Sequence, residues 1–137
     1  MIMNAYTKPL PRPTALSRPF WDGAKQSEIK VQKCRACGHM EHPPRVQCTA
    51  CWSEELEWIS SAQEGEVYSY TVCHWPTMKE FKADAPYIVA IVELPEGIRL
   101  SSNIVDCPLD RIAVGLKVKA VFEKATDDIT LIKFKPV

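Results

Sequence analysis

The sequence predicts a mainly β protein made of a short N-terminal helix, a small cysteine-stapled ribbon and a five-stranded barrel. Three observations carry that expectation. Two Cys-x2-Cys pairs, Cys34–Cys37 and Cys48–Cys51, stand ten residues apart. Five short runs rich in β-branched and aromatic residues follow, separated by stretches that carry Gly, Pro, Asn or Asp. The chain has 137 residues, 46% apolar and 25% charged, which is the composition of a globular protein with a real core.

Residues 1–27 make the first part. Pro9, Pro11 and Pro13 alternate with Lys8, Leu10 and Arg12, so residues 1–14 are extended, either a solvated loose tail or draped over some surface. Leu16 to Trp21 reads as a helix start. Ser17 stands at the cap, Pro19 is tolerated in the first turn, and Leu16 with Trp21 has the spacing of a hydrophobic staple. The helix is expected to end near Ser27, with Leu16, Phe20 and Ala24 on one apolar face. Phe20 and Trp21 must be buried somewhere, against this protein's own ribbon and barrel or against a partner.

Residues 28–60 make the ribbon. Ile29 to Lys33 alternates as a strand leading into the first cysteine turn, and Leu56 to Ile59 leaves the second as another strand. A two-residue gap lets one tight turn aim two thiolates at one ion, and two such turns complete the tetrahedron that structural zinc prefers. Gly38 follows the second sulfur, where such a turn often needs a positive φ. Cys34, Cys37, Cys48 and Cys51 are therefore the predicted ligands and Zn²⁺ the predicted cofactor. Iron in a rubredoxin-type site would use the same thiolates and is the alternative. Two disulfides would need an oxidising compartment. The start of the chain, Met1 to Pro9, lacks the apolar core of a secretory leader, so the chain reads as cytoplasmic. All four ligands come from the protein, which makes the site closed and structural rather than catalytic.

Residues 61–137 make the barrel. Val67 to His74 carries Tyr68, Tyr70 and Val72 on one face. Residues 75–86 form a long loop. Tyr87 to Leu94 is apolar on both faces and reads as a buried strand. A Pro95-Glu96-Gly97 turn leads into a strand over 98–104, a short helical turn is expected over 109–113, and strands follow over 117–123 and 129–134. Five short strands closing on themselves suggest an OB-type barrel. Cys73 and Cys107 fall outside the ligand pattern and read as small buried apolar residues.

Charge excludes several classes. Lys+Arg and Asp+Glu are 17 each, so the basic excess of a nucleic-acid module is missing. No apolar run is long enough to span a bilayer. There is no glycine-rich phosphate loop and no nucleophile elbow. His39 and His42 lie in the ribbon loop and read as solvated or bonded to nearby backbone, and His74 has no carboxylate or nucleophile beside it in sequence. The residues by themselves describe a metal-stapled binding module without its own chemistry. A single-stranded nucleic-acid binder using Tyr68, Tyr70 and Trp75 as stacking rings is the competing class, and the neutral charge argues against it. An iron-containing electron carrier is a third, and it would be coloured.

One set of motifs in order completes the reading: Phe20-Trp21, Cys34-Arg35-Ala36-Cys37-Gly38, Pro43-Pro44-Arg45, the second Cys pair, Gly65-Glu66-Val67-Tyr68-Ser69, Pro86 to Ala90, Glu93 to Gly97, and Gly115 to Val118. This series resembles the prokaryotic OB-fold proteins that carry an N-terminal rubredoxin-like zinc ribbon, a family first grouped as a domain of unknown function. The resemblance covers about residues 15–125. It implies an accessory subunit that pairs with a thiolase-like protein, including the lipid-transfer type, in complexes acting on acyl-CoA. Such complexes carry out thiolytic or retro-aldol cleavage or acyl transfer, and some relatives accompany hydratases. The catalytic Cys and His then belong to the partner. The joint Ala62-Gln63-Glu64-Gly65 departs from the glycine-rich joint usual in the family. For acyl-CoA, Lys33, Arg35 and Arg45 are candidate phosphate contacts and Trp52 a candidate adenine platform, while Phe20 and Trp21 are candidate partner contacts.

Overall fold

The computed structural model describes residues 6–137. The expectations placed on residues 1–5 lie outside the described residues. Residues 6–14 run without helix or strand against the barrel, where the Lys8 ammonium meets the Asp84 carboxylate at 2.7 Å and lies over the rings of Tyr6 and Phe81. Of the two dispositions open to the proline-rich tail, the draped one is observed.

Helix α1 (Arg18–Lys25) has Pro19 in its first turn. It differs from expectation at both ends. Ser17 holds the cap position, but its backbone is already helical (φ −91°, ψ −8°). Its hydroxyl therefore turns back and accepts the Thr14 N–H at 2.9 Å, and caps nothing. The helix stops at Lys25, short of Ser27, because Ser27 takes φ +59° and closes a Schellman turn. The Glu28 N–H donates to the Gly23 carbonyl at 2.9 Å and the Ser27 N–H to the Ala24 carbonyl at 3.0 Å. Leu16 remains exposed and leaves the packing face to Phe20 and Ala24.

The ribbon is a three-stranded antiparallel sheet of β1 (Lys30–Cys34), β2 (Met40–Glu41) and β3 (Leu56–Ser60) in the order β2-β1-β3. The two-residue β2 is not legible in the sequence, since two residues show no period. Ile29 and Val31 are fully buried and belong to the barrel's core cluster with Val67, Leu94, Val118 and Phe134. The ribbon thus packs on the barrel through its root, leaving its cysteine end to project. Polar ties fix the joint between them: the Ser61 N–H donates to the Ile29 carbonyl at 2.7 Å, and Glu96 accepts the Ala62 N–H at 2.9 Å.

The barrel strands are β4 (Glu64–Cys73), β5 (Tyr87–Glu93), β6 (Arg99–Ile104), β7 (Lys117–Lys124) and β8 (Thr130–Pro136). They close in the order β4-β5-β6-β8-β7, with β6 and β8 parallel and the other pairs antiparallel. Closure removes the edges of the barrel sheet, and the architecture is that of an OB-fold. Three expectations need correction. The helical segment is a 3-10 helix at Lys79–Asp84, inside the stretch read as a loop, and 109–111 is only a turn. Strand β5 is not buried on both faces: Ile88, Ala90 and Val92 point inward, while Val89 and Ile91 are 38% and 37% exposed. A bulge between Val67 and Ser69 takes Tyr68 out of register with Tyr70 and Val72, and the Arg99 guanidinium covers the Tyr68 ring at 3.7 Å.

Helix, ribbon and barrel meet around His42. Its ring lies 5.2 Å from Phe20, and Phe20 meets Trp21 edge-on at 5.1 Å. The sequence left His42 solvated or bonded to nearby backbone; the structure half-buries its ring against Phe20. Burial pushes its imidazole below the ordinary value. The unfolded chain therefore takes up a proton that the folded chain refuses. Stability from this group is complete above about pH 6.5 and declines as pH falls through that value toward the depressed folded pKa. Melting the zinc-loaded protein at about pH 7.5 and about pH 5.5 should show a larger drop for wild type than for His42→Gln. Equal drops would mean that His42 is not buried uncharged.

Candidate metal centre

Two turns built to one plan bring the four cysteines together. In the first, the Cys34 N–H donates to the His39 carbonyl at 2.8 Å and the Gly38 N–H returns to the Cys34 carbonyl at 2.8 Å. In the second, the Cys48 N–H donates to the Ser53 carbonyl at 2.8 Å and the Trp52 N–H returns to the Cys48 carbonyl at 2.9 Å. The leading cysteine of each turn is buried and the trailing one exposed. Each turn ends on a left-handed residue, Gly38 at φ +81° and Trp52 at φ +69°. Glycine takes that backbone freely. For any other residue it costs about 1–2 kcal/mol.

The sulfurs fit a tetrahedral ion. All four lie within 4.8 Å of one another. The Cys34–Cys51 and Cys37–Cys48 pairs are 3.6 Å apart. A tetrahedron with zinc–sulfur bonds of about 2.3 Å has edges of about 3.8 Å. Without a cation the quartet titrates apart. Backbone N–H groups of Cys37 and Ala36 hold the Cys34 thiol down at about 7 in spite of burial. For Cys51 the Ser53 N–H favours the thiolate, but burial and the three neighbouring sulfurs push it up to about 12. A divalent cation removes that conflict by neutralising the charge that the sulfurs otherwise place on one another. Among the described residues these four form the one cluster of three or more metal-ligating side chains. The ribbon's cofactor is structural zinc, and the four ligands fill its coordination sphere.

The surrounding polar groups brace the turns, and the sequence did not mark them. Glu41 is buried, and its carboxylate accepts both the Thr49 N–H and the Thr49 hydroxyl at 2.7 Å. Burial raises its pKa, yet the two Thr49 bonds outweigh that and leave it below the ordinary carboxylate range. Gln32, also buried, donates to the Arg45 carbonyl at 3.0 Å and accepts the Arg45 N–H at 2.7 Å. Polar residues in a ribbon read as surface, and only the fold shows that Gln32 and Glu41 point inward.

The other sequence candidates scatter. Lys33 and Arg45 are exposed and, among the described residues, make no ion pair. Arg35 is 3.5 Å from the Glu57 carboxylate. Trp52 is 75% exposed. Phe20 packs on the core and Trp21 is half-buried beside it. His39 faces Glu41 and Thr49, each at 3.4 Å, and His74 is exposed. Cys73 and Cys107 are half-buried, the Cys107 thiol donating to the Pro108 carbonyl at 3.4 Å. One feature had no sequence signal: a cavity of about 730 Å³ between the tail and the barrel, lined by Leu10, Phe81, Ile88, Ile104 and Leu131. No helix of the described residues is long and apolar enough to cross a membrane.

Two family models match successive parts of the chain. Residues 21–57 match the rubredoxin-like zinc ribbon domain of ChsH2, and residues 58–123 match the ChsH2 C-terminal OB-fold domain. A DUF35 domain-containing scaffold protein of Methanothermobacter thermautotrophicus is 44% identical over 97 residues, covering 70% of this chain and 72% of its own length. A probable enoyl-CoA hydratase alpha subunit of Thermomonospora curvata is 40% identical over 129 residues; the match covers 92% of this chain but only 40% of that longer protein. A more distant relative, 33% identical over 56% of this chain and 49% of its own length, is the benzoylsuccinyl-CoA thiolase subunit BbsA of Geobacter metallireducens. Among solved structures, a chain of the Ltp2-ChsH2(DUF35) aldolase superposes with a TM-score of 0.84 at 36% identity, over 93% of this chain and 98% of that one.

Proposed function

This chain belongs to the DUF35 family of ChsH2-type proteins, built from a zinc ribbon and an OB-fold, and on that premise we propose that it is a non-catalytic accessory subunit of a thiolase-like enzyme acting on acyl-CoA thioesters. The observation that carries this reading is the closed centre. Four protein thiolates leave zinc no open position from which to polarise a carbonyl or activate water. Of the other candidate groups, His39 is turned to Glu41 and Thr49 and the Cys107 thiol to a carbonyl. The partner supplies the nucleophile and base for thiolytic or retro-aldol cleavage or for acyl transfer. This chain supplies a rigid face. Names carried by relatives support an acyl-CoA setting: a hydratase alpha subunit, a thiolase subunit and an aldolase complex. Of the residues offered to CoA, Lys33 and Arg45 are exposed and, among the described residues, without ion-pair partners, and they are the proposed phosphate contacts.

Co-expression with whichever thiolase-like protein is encoded in the same genome region tests the reading. The two should purify as one zinc-containing complex that turns over a CoA thioester, and the chain alone should show no turnover. Turnover by the chain alone, or undiminished turnover by the partner without it, would overturn the assignment.

A further inference from the structure

The second cysteine turn carries a side chain that neither its backbone nor its packing explains. The first turn fills its left-handed position with Gly38, whose surroundings are open. The second repeats the same hydrogen bonds but fills that position with Trp52, at φ +69°. Tryptophan is disfavoured there by sterics, and burial returns nothing, since 75% of the residue is exposed. Strain together with an exposed large ring is the pattern of a functional residue. By contrast Trp75, 91% exposed, is not among the residues with positive φ and lacks that second feature.

Charge around the ring selects what covers it. Glu54 and Glu55 follow within three residues, both exposed and, among the described residues, in no ion pair. Arg35, whose N–H bonds the Glu55 carbonyl, has its guanidinium turned to Glu57. Four thiolates around zinc add a net double negative charge beside the ring. The carboxylates that follow the ring and the charged centre beside it favour a basic protein surface there, while Lys33 and Arg45 remain the exposed cations of the ribbon. Val46, also strongly exposed, stands just before the same turn and adds apolar area.

We infer that Trp52 is the anchor by which the second cysteine turn docks on the enzyme partner, entering an apolar slot rimmed by arginine or lysine side chains. The inference rests on the accessory-subunit reading and names the residue that carries the contact. Tryptophans that become buried on association are enriched among the few residues that carry most of the binding energy of protein interfaces.

Trp52→Gly separates anchor from scaffold. The variant should keep a full zinc complement and melt a few degrees higher than wild type, because the turn is relieved of strain. Its affinity for the co-expressed thiolase-like protein should fall at least about 30-fold. The double variant Glu54→Lys with Glu55→Lys should slow association and flatten its salt dependence. If Trp52→Gly binds the partner as tightly as wild type, the anchor is wrong while the accessory reading stands. If wild type itself does not bind the thiolase-like protein, that reading fails and the anchor with it. Weaker binding of free CoA with partner affinity intact would make Trp52 an adenine platform, which also overturns the inference.

Discussion

Removing zinc is expected to dissolve the ribbon from Cys34 to Trp52 while the barrel strands stay paired. Of the residues between Cys34 and Cys51, only Glu41 and Cys48 are fully buried, with Met40 and His42 half-buried, so this segment has almost no apolar core of its own. Its longest regular element beyond β1 is the two-residue β2. A structural zinc contributes about 10–16 kcal/mol in small peptide systems, comparable to the whole net stability of a typical domain, about 5–15 kcal/mol. Cys34→Ser or Cys51→Ser should therefore act like a chelator. Amide exchange would report it directly. The N–H groups of Cys34, Gly38, Cys48 and Trp52, all bonded within the turns, should lose protection. Those of β5, whose Ile88, Ala90 and Val92 lie in the barrel core, should keep it. Partner binding should vanish with the ribbon. A Cys34→Ser protein with full zinc content and a fully active complex would rule out the structural role.

The boundary of that collapse also follows from the fold. Ile29 and Val31 precede the first ligand and are buried in the barrel's core cluster. Val31 pairs with Ile59 across β1 and β3. The root of the ribbon is thus held by hydrophobic burial and its end by metal, and only the end should respond to a chelator.

The same division explains what could be read in advance. Cysteine spacing reports ligand geometry directly, so all four ligands and the ribbon were legible. Alternation with turn residues placed the five barrel strands to within a few residues. What failed lacked a periodic signal. An unbroken apolar run such as Tyr87 to Leu94 says nothing about how many of its faces are covered, and a closed barrel has only one inside, so Val89 and Ile91 stay outside. The 3-10 helix at Lys79–Asp84 is too short to show a period. Gln32 and Glu41 are inward because specific backbone groups across the loop need partners, a reason that exists only in three dimensions. The Trp52 backbone was equally hidden: Gly38 announces a left-handed position, whereas tryptophan conceals one.

The barrel makes its own sharp prediction at Gly65. This residue is the second of β4, pairing with Val118 of β7, and its neighbour Glu66 pairs with Glu93 of β5. A methyl group at Gly65 would land on the Glu93 carbonyl oxygen and lie 3.1 Å from Leu94 Cδ2. The first obstacle is backbone of the adjacent strand, which cannot rotate aside as a side chain can. Gly65→Ala must therefore push β4 from β5 at the start of the barrel, at a cost of about 3 kcal/mol and a Tm loss of about 10 °C. Gly97→Ala is the control: it meets no atom within 4 Å but has φ +89°, so it should cost only the left-handed strain, about 1–2 kcal/mol. Zinc content should be unchanged in both, because the sulfurs sit beyond the ribbon's root. Should Gly65→Ala melt above Gly97→Ala, the close passage of β4 over β5 would be wrong. With it would go the physical reason for a glycine where the chain passes from ribbon joint to barrel.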